Sequence, residues 1–310
     1  MEGPFVFISF DVMMREPNGR ELPTVVNSGR ATSITRLHVI ALLFVLFAFS
    51  NCTALLLPKE QLPQFQLPAS LEVQSEYVNI TLSNPLHCPV RISIRSAESM
   101  LQPQLAALNP IVLPAGADTS FSVTGTFTAL PDMQITVHMG NPSHEVLPAT
   151  ISLPFPADKT YRVVQGNNSQ PTHHTDWSRY AIDIDLQKGD TVCAATDGVV
   201  VGVVDQYRYG GAGEAWKPYG NFITLYDTIS GLFTQYVHLQ HRGSLVQVGD
   251  AVQRGQPIGL SGTTGQTNIP HLHFNCMVPA ATEDGLMSVP FVTVEGYNSM
   301  ELHRGQVLQR

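Results

Sequence analysis

Two rhythms divide the chain. From about residue 71 to 155, the runs YVNITL, VRISI, TSFSVTG and MQITVHM alternate apolar and polar positions, and each is closed by Pro, Gly, Asn or Ser. Successive side chains of a strand point to opposite faces, so this period of two predicts short half-buried strands in a small antiparallel sandwich. From about 156 to 295, glycine and valine become denser. GDTVCAATDGVVVGVV predicts two strands around an Asp197-Gly198 turn, since Asp-Gly between apolar runs is a strong hairpin signal. GNFITLYDTISGLFTQYVHL predicts another strand pair, and VQVGDAVQRGQPIGLSG a third set with turns or bulges at Gly249, Gly255 and Gly259. Residues 205–220, DQYRYGGAGEAWKPYG, are too polar and glycine-rich for a strand and read as a long loop walling a binding groove. No amphipathic helical period follows residue 158. The expected class is all-β, a sandwich followed by an antiparallel sheet domain with a narrow groove.

The flanks differ. Residues 58–70 read as a Pro-rich linker and 296–310 as a tail. LHVIALLFVLFAF, residues 37–49, is apolar and follows Arg30 and Arg36, as in a secretory signal. Counting on through Leu57 lengthens the run towards about 20 residues, so an uncleaved membrane anchor competes with a signal, and lipid attachment at Cys52 is a third option. The expected location is exported, in the periplasm or cell envelope. A net charge of -8 argues against non-specific nucleic-acid binding, which rests on neutralising phosphates. The four cysteines, Cys52, Cys88, Cys193 and Cys276, lack CxxC spacing, so a cysteine-held zinc is not expected; a disulfide pairing stays open.

Candidate chemistry gathers in the second half. In IPHLHFNCMV, His271 and His273 are two apart and so share one face of a strand, an arrangement that suits a metal or a ligand beside an acid/base group. In RYAIDIDL, Asp183 and Asp185 share a face, and in TQYVHLQ, Tyr236 and His238 do. His87, His138 and His144 have no partner at ligand spacing and read as surface residues.

Taken in order, AIDID, GDTVCAATDGVV, GLFTQYVHL, VQVGDAVQRGQPIGLSGTTGQT and PHLHF resemble the lysostaphin/LytM-type zinc endopeptidases, peptidase family M23, over roughly residues 155 to 295. The resemblance implies one zinc held by a histidine, an aspartate and the second histidine of HxH, which carries over to Asp183 and His273. It implies catalytic, unligated roles for His238 and His271. It also implies an endopeptidase acting on peptidoglycan peptides. Such a His2Asp set leaves a fourth zinc position open, as catalytic sites do. No HExxH motif is present, so the histidine pair would replace its glutamate base. The usual first-ligand position, four residues before Asp183, is Arg179, which stays protonated and cannot ligate. A family branch with a longer loop favours His174, nine residues before Asp183, with adjacent His173 exposed or over the groove and Asp176 able to orient the ligand. Asn275 stands where the family often has glutamate. The competing reading is an inactive relative that binds peptidoglycan or activates another hydrolase.

Overall fold

The computed structural model describes residues 57–310, so the expected signal or anchor segment before Leu57, and Cys52 within it, lie outside the described residues. Among the described residues, no helix is long and apolar enough to cross a membrane. The period of two is realised as strands. Ala69–Val73, Tyr77–Ser83 and Asp118–Thr124 form one antiparallel sheet; Ile111–Leu113, Val90–Ser96 and Met133–Met139 form a second. Val78, Ile80 and Leu82 of the first meet Val90, Ile92 and Ile94 of the second in a common core. That is the alternation of the sequence made into a sandwich.

The second half is an open antiparallel sheet. Its order is Ala251–Val252, Gly198–Val204, Phe222–Tyr226, Phe233–Val237, Leu272–Pro279, Ile182–Ile184, Thr160–Gln165 and Val307–Gln309, with Leu286–Ser288 also paired to Leu272–Pro279. A smaller sheet of Leu239–Ser244, Pro257–Ser261 and Thr191–Cys193 supplies Leu239, Ile258 and Val192 to the same apolar core. The last residues of the chain do not hang free: Val307–Gln309 pairs with Thr160–Gln165, and Leu302 and Leu308 are buried. Cys88, Cys193 and Cys276 are buried free thiols.

Two local expectations are corrected. Thr191–Cys193 and Gly198–Val204 are both strands, but they lie in different sheets and do not pair as a hairpin. The intervening donors are taken elsewhere, Ala194 N by the Gln256 carbonyl and Ala195 N by the Tyr236 hydroxyl, which removes the ladder a hairpin needs. Nor do Tyr236 and His238 share a face. The strand ends at Val237, and His238 adopts φ 67°, which breaks the alternation. Tyr236 is thus sealed in the core while His238 turns towards the site.

The 205–220 segment is less free than its composition suggests. Glu214–Tyr219 forms a 3-10 turn, and Gly210-Gly211 pairs in parallel with Gly265-Gln266. A Cβ on Gly210 would overlap the Thr263 and Gly265 carbonyls, so the close approach requires glycine there.

The two halves share packing. Val201, Phe233, Met277 and Leu286 of the large sheet belong to the same apolar cluster as the sandwich core. Beside them the buried Arg91 guanidinium donates to the carbonyls of Gly140 at 3.1 Å and of Ala280 and Gly285, each at 2.8 Å. Removing it takes a charged donor from three buried carbonyls, of which that of Gly285 still accepts from Ala280 N. Arg91→Met is therefore expected to lower the unfolding free energy of the chain by roughly 2–4 kcal/mol, measured as a shift of the urea transition; an unshifted transition would show that the contact contributes nothing.

Candidate metal centre

The site is set out by strand register. Leu272–Pro279 lies between Ile182–Ile184 and Phe233–Val237, with His273 directly opposite Asp183 on one side and Val237 on the other. Directly opposed residues point to the same face. Leu272, Ile182 and Ile184 face the core, so Asp183 and His273 project from the other side. His271 and His238 stand at the ends of these strands and close in from the edge. Their rings lie 4.6 Å apart, and His238 is 6.1 Å from His273.

The third imidazole is His173. Its Nε2 lies 3.2 Å from Asp183 Oδ1 and 3.2 Å from His273 Nδ1, while His273 Nδ1 lies 2.9 Å from the same carboxylate oxygen. One donor atom from each of His173, Asp183 and His273 falls within 4.8 Å of the others, a spacing at which they could hold a metal ion. His174, favoured from its spacing, is corrected: it is exposed, whereas its neighbour is fully buried. Adjacent residues in a loop point in different directions, and the bridge between Ser169 and His173 turns His173 inward. Asp176 does not orient a ligand either, since it is exposed and paired with Arg179 at 3.0 Å. The Gly166 carbonyl takes that place, accepting from His173 Nδ1 at 2.9 Å. Asp185 stays outside the cluster and accepts from Arg162 N.

The loop bearing His173 is held by a residue the sequence left without a role. Buried Asn275 donates to the Trp177 carbonyl at 2.6 Å and accepts from Ser288 Oγ at 2.7 Å; Ser288 Oγ also accepts from Tyr180 N. An amide can donate and accept at once, which a glutamate carboxylate cannot.

His238 and His271 have a common design. His238 Nδ1 is 2.7 Å from the Thr264 carbonyl and His271 Nδ1 is 3.0 Å from that of Ile269. A carbonyl only accepts, so each Nδ1 carries the proton and each Nε2 is left with its lone pair. His271 Nε2 lies 3.7 Å from Asp183 Oδ2. Thr267 Oγ donates to the Ile269 carbonyl at 2.6 Å and steadies that anchor.

Electrostatics follow from burial and crowding. Burial alone would raise the Asp183 carboxyl, but the His173 and His271 imidazoles hold it well below the usual carboxylate range. At His173 burial works against protonation, yet the Asp183 charge together with the hydrogen bonds to Asp183, Gly166 and Ala181 outweighs it and the value rises. Burial also lowers His273, despite its bond to Asp183. His238 falls to about 3, through burial and then the neighbouring His271 and His273.

The result is a largely buried histidine–aspartate–histidine trio, spaced to hold a metal ion, with two tautomer-fixed imidazoles beside it. Residues 178–284 match the model of peptidase family M23. The chain is 33% identical over 141 residues to the glycyl-glycine endopeptidase ALE-1 of Staphylococcus capitis, covering 45% of this chain and 36% of that protein. It is 32% identical over 128 residues to the peptidoglycan DD-endopeptidase ShyB of Vibrio cholerae, covering 40% and 27% respectively. The lysostaphin catalytic domain of Staphylococcus simulans aligns at 28% identity over 42% of this chain and 87% of that one, with a TM-score of 0.31. The chain thus spans about a third of the length of the curated relatives it matches.

The depressed His238 value has a thermodynamic consequence. The unfolded chain takes up this proton near pH 6.5 and the folded one only near 3, so each step of acidification between those values favours unfolding. His273 acts in the same direction. The stabilisation from Asp183 is lost only below its ordinary 3.8, and that from His173 only as pH rises past 6.5. In the metal-free protein, urea midpoints should therefore fall steadily from pH 6.5 to 4, and His238→Gln should make that slope shallower. An equal slope in the variant would show that His238 is protonated in the folded state.

Proposed function

We propose that the chain is a zinc-dependent endopeptidase that cuts peptide bonds in peptidoglycan cross-links, in the cell envelope. The observation that carries this reading is the convergence of His173 Nε2, Asp183 Oδ1 and His273 Nδ1. The Gly166 carbonyl fixes the His173 proton on Nδ1, so a neutral His173 turns a lone pair on both the Asp183 oxygen and His273 Nδ1. One proton on His273 Nδ1 relieves only part of that crowding. A cation relieves all of it, and two imidazole nitrogens with one carboxylate suit zinc and leave an open position. The similarity to ALE-1 and ShyB, named for cutting glycyl-glycine bonds and peptidoglycan DD-cross-links, supports the substrate class. An inactive relative would be expected to lack part of this donor set, and here every donor has a residue.

Zinc held by His173, Asp183 and His273 supplies a Lewis acid for the scissile carbonyl and makes water more acidic. The rest falls to the chain. His271 and His238 present unprotonated Nε2 atoms to the same space, so one can accept a proton from the attacking water. That proton, now held at Nε2, is then available to the leaving amine. The Nδ1–H anchors to Ile269 and Thr264 keep both rings aimed during the exchange and prevent the other tautomer.

The test is cleavage of purified sacculi by the full chain, with and without chelator, together with zinc content. His173→Ala, Asp183→Ala and His273→Ala should lose zinc and activity, and His174→Ala should keep both. His271→Ala should keep zinc but lose turnover by roughly 10²-fold. Zinc loss in His174→Ala with retention in His173→Ala would overturn the ligand set. Full cleavage in the presence of chelator would overturn the metal-dependent reading.

A further inference from the structure

A concave feature lies where the chain leaves His238. A cavity of about 530 Å³ is lined by Asp205, Gln206, Arg208, His241 and Arg242. His241 follows His238 by three residues, so the cavity begins within roughly 10 Å of the catalytic candidate, the reach of three extended residues. The wall is tied to the site. Buried Asn221 donates to the Tyr207 carbonyl at 2.9 Å and to those of Leu239 and Gln240, and accepts from Tyr207 N. Arg242 N donates to the Asp205 carbonyl at 2.6 Å, and Arg242 itself is held at φ 53°. A non-glycine residue kept in that region is sustained by its surroundings and often marks a functional position.

The charges are unspent. Among the described residues neither Arg208 nor Arg242 forms an ion pair, and the Asp205 carboxylate forms none either, so two guanidinium groups stand against one acid at the cavity. His241 Nδ1 is buried with no hydrogen-bond partner, a state that ordinarily signals a missing water or ligand. In a chain of net charge -8, unpaired arginines gathered close to the candidate site form a local anion trap.

We infer that Arg208 and Arg242, with His241 beside them, form a subsite for a free carboxylate of the peptide substrate near the scissile bond. This rests on the peptidase reading and narrows it. The preferred cross-link bears a carboxylate near the cut, and an uncharged glycyl bridge leaves the subsite empty. The planar forks of two arginines suit bidentate capture of a carboxylate, where lysines would act as point charges.

The test uses the zinc-loaded full chain and a matched pair of synthetic peptides: a D-Ala–diaminopimelate cross-linked peptide and its form with carboxylates converted to carboxamides. The ratio of kcat/KM for carboxylate over carboxamide should be about 10 to 100, the scale of charge-assisted hydrogen bonds. It should fall towards one in R208Q/R242Q, mostly through KM, with zinc content and circular dichroism as checks of folding. The exposed single variant Arg208→Gln should lower it part of the way should the double variant fail to fold. A ratio near one in the wild type, or one that the arginine variants leave unchanged, overturns the subsite. If neither peptide is cut, the hydrolytic reading fails. The same ratio is then taken from Kd values by calorimetry, so a preference there upholds the subsite and equal affinities overturn it.

Discussion

One pairing register fixes the candidate site. Because His273 stands opposite Asp183 on one side and Val237 on the other, two neighbouring strands bring Asp183 and His273 to one face without a loop having to place either. A slip of one residue would turn Asp183 and His273 into the core and Leu272 out to solvent. The buried apolar partners of that strand, Leu272, Phe274 and Cys276, make such a slip costly. The hydrophobic side of the sheet therefore holds the polar side in place.

What the register cannot supply, local backbone does. His238 leaves its strand through a left-handed residue, and His173 arrives from a loop braced by Asn275, Ser288 and Trp177. Backbone carbonyls recur as the outer partners of the imidazoles: Gly166, Thr264 and Ile269. A carbonyl cannot ionise, so these anchors keep the same tautomer across a wide pH range, as a carboxylate partner would not.

The strands and the HxH pair were legible because their signals are short-range: a period of two, and two histidines that share a face by geometry alone. Asp183 was legible for the same reason, since it alternates with Ile182 and Ile184. His173 was not. The choice between adjacent loop histidines depends on where a loop without periodicity folds back, and the family match itself begins at residue 178, beyond both. The Asp197-Gly198 hairpin failed because the signal is local while the competing partners, Gln256 and Tyr236, lie far along the chain. Asn275 looked like a departure, and its meaning needed the facing carbonyl and hydroxyl. The Arg208–Arg242 pair is separated by 34 positions of sequence, and no spacing rule unites them.

The shared apolar cluster between the two halves bears on how such a chain can be divided or recombined. Val201, Phe233, Met277 and Leu286 belong to the peptidase sheet by sequence, yet they are covered by the sandwich, and Arg91 stitches the seam. Cut at residue 155, the second half would present a wet hydrophobic flank on the same face as His273, further along the strands Phe233–Val237 and Leu272–Pro279 that carry the site's register. The sandwich in this sense completes the interior of the second half. Swapping it for an unrelated module would preserve the candidate site residues and discard the surface against which their strands are pressed.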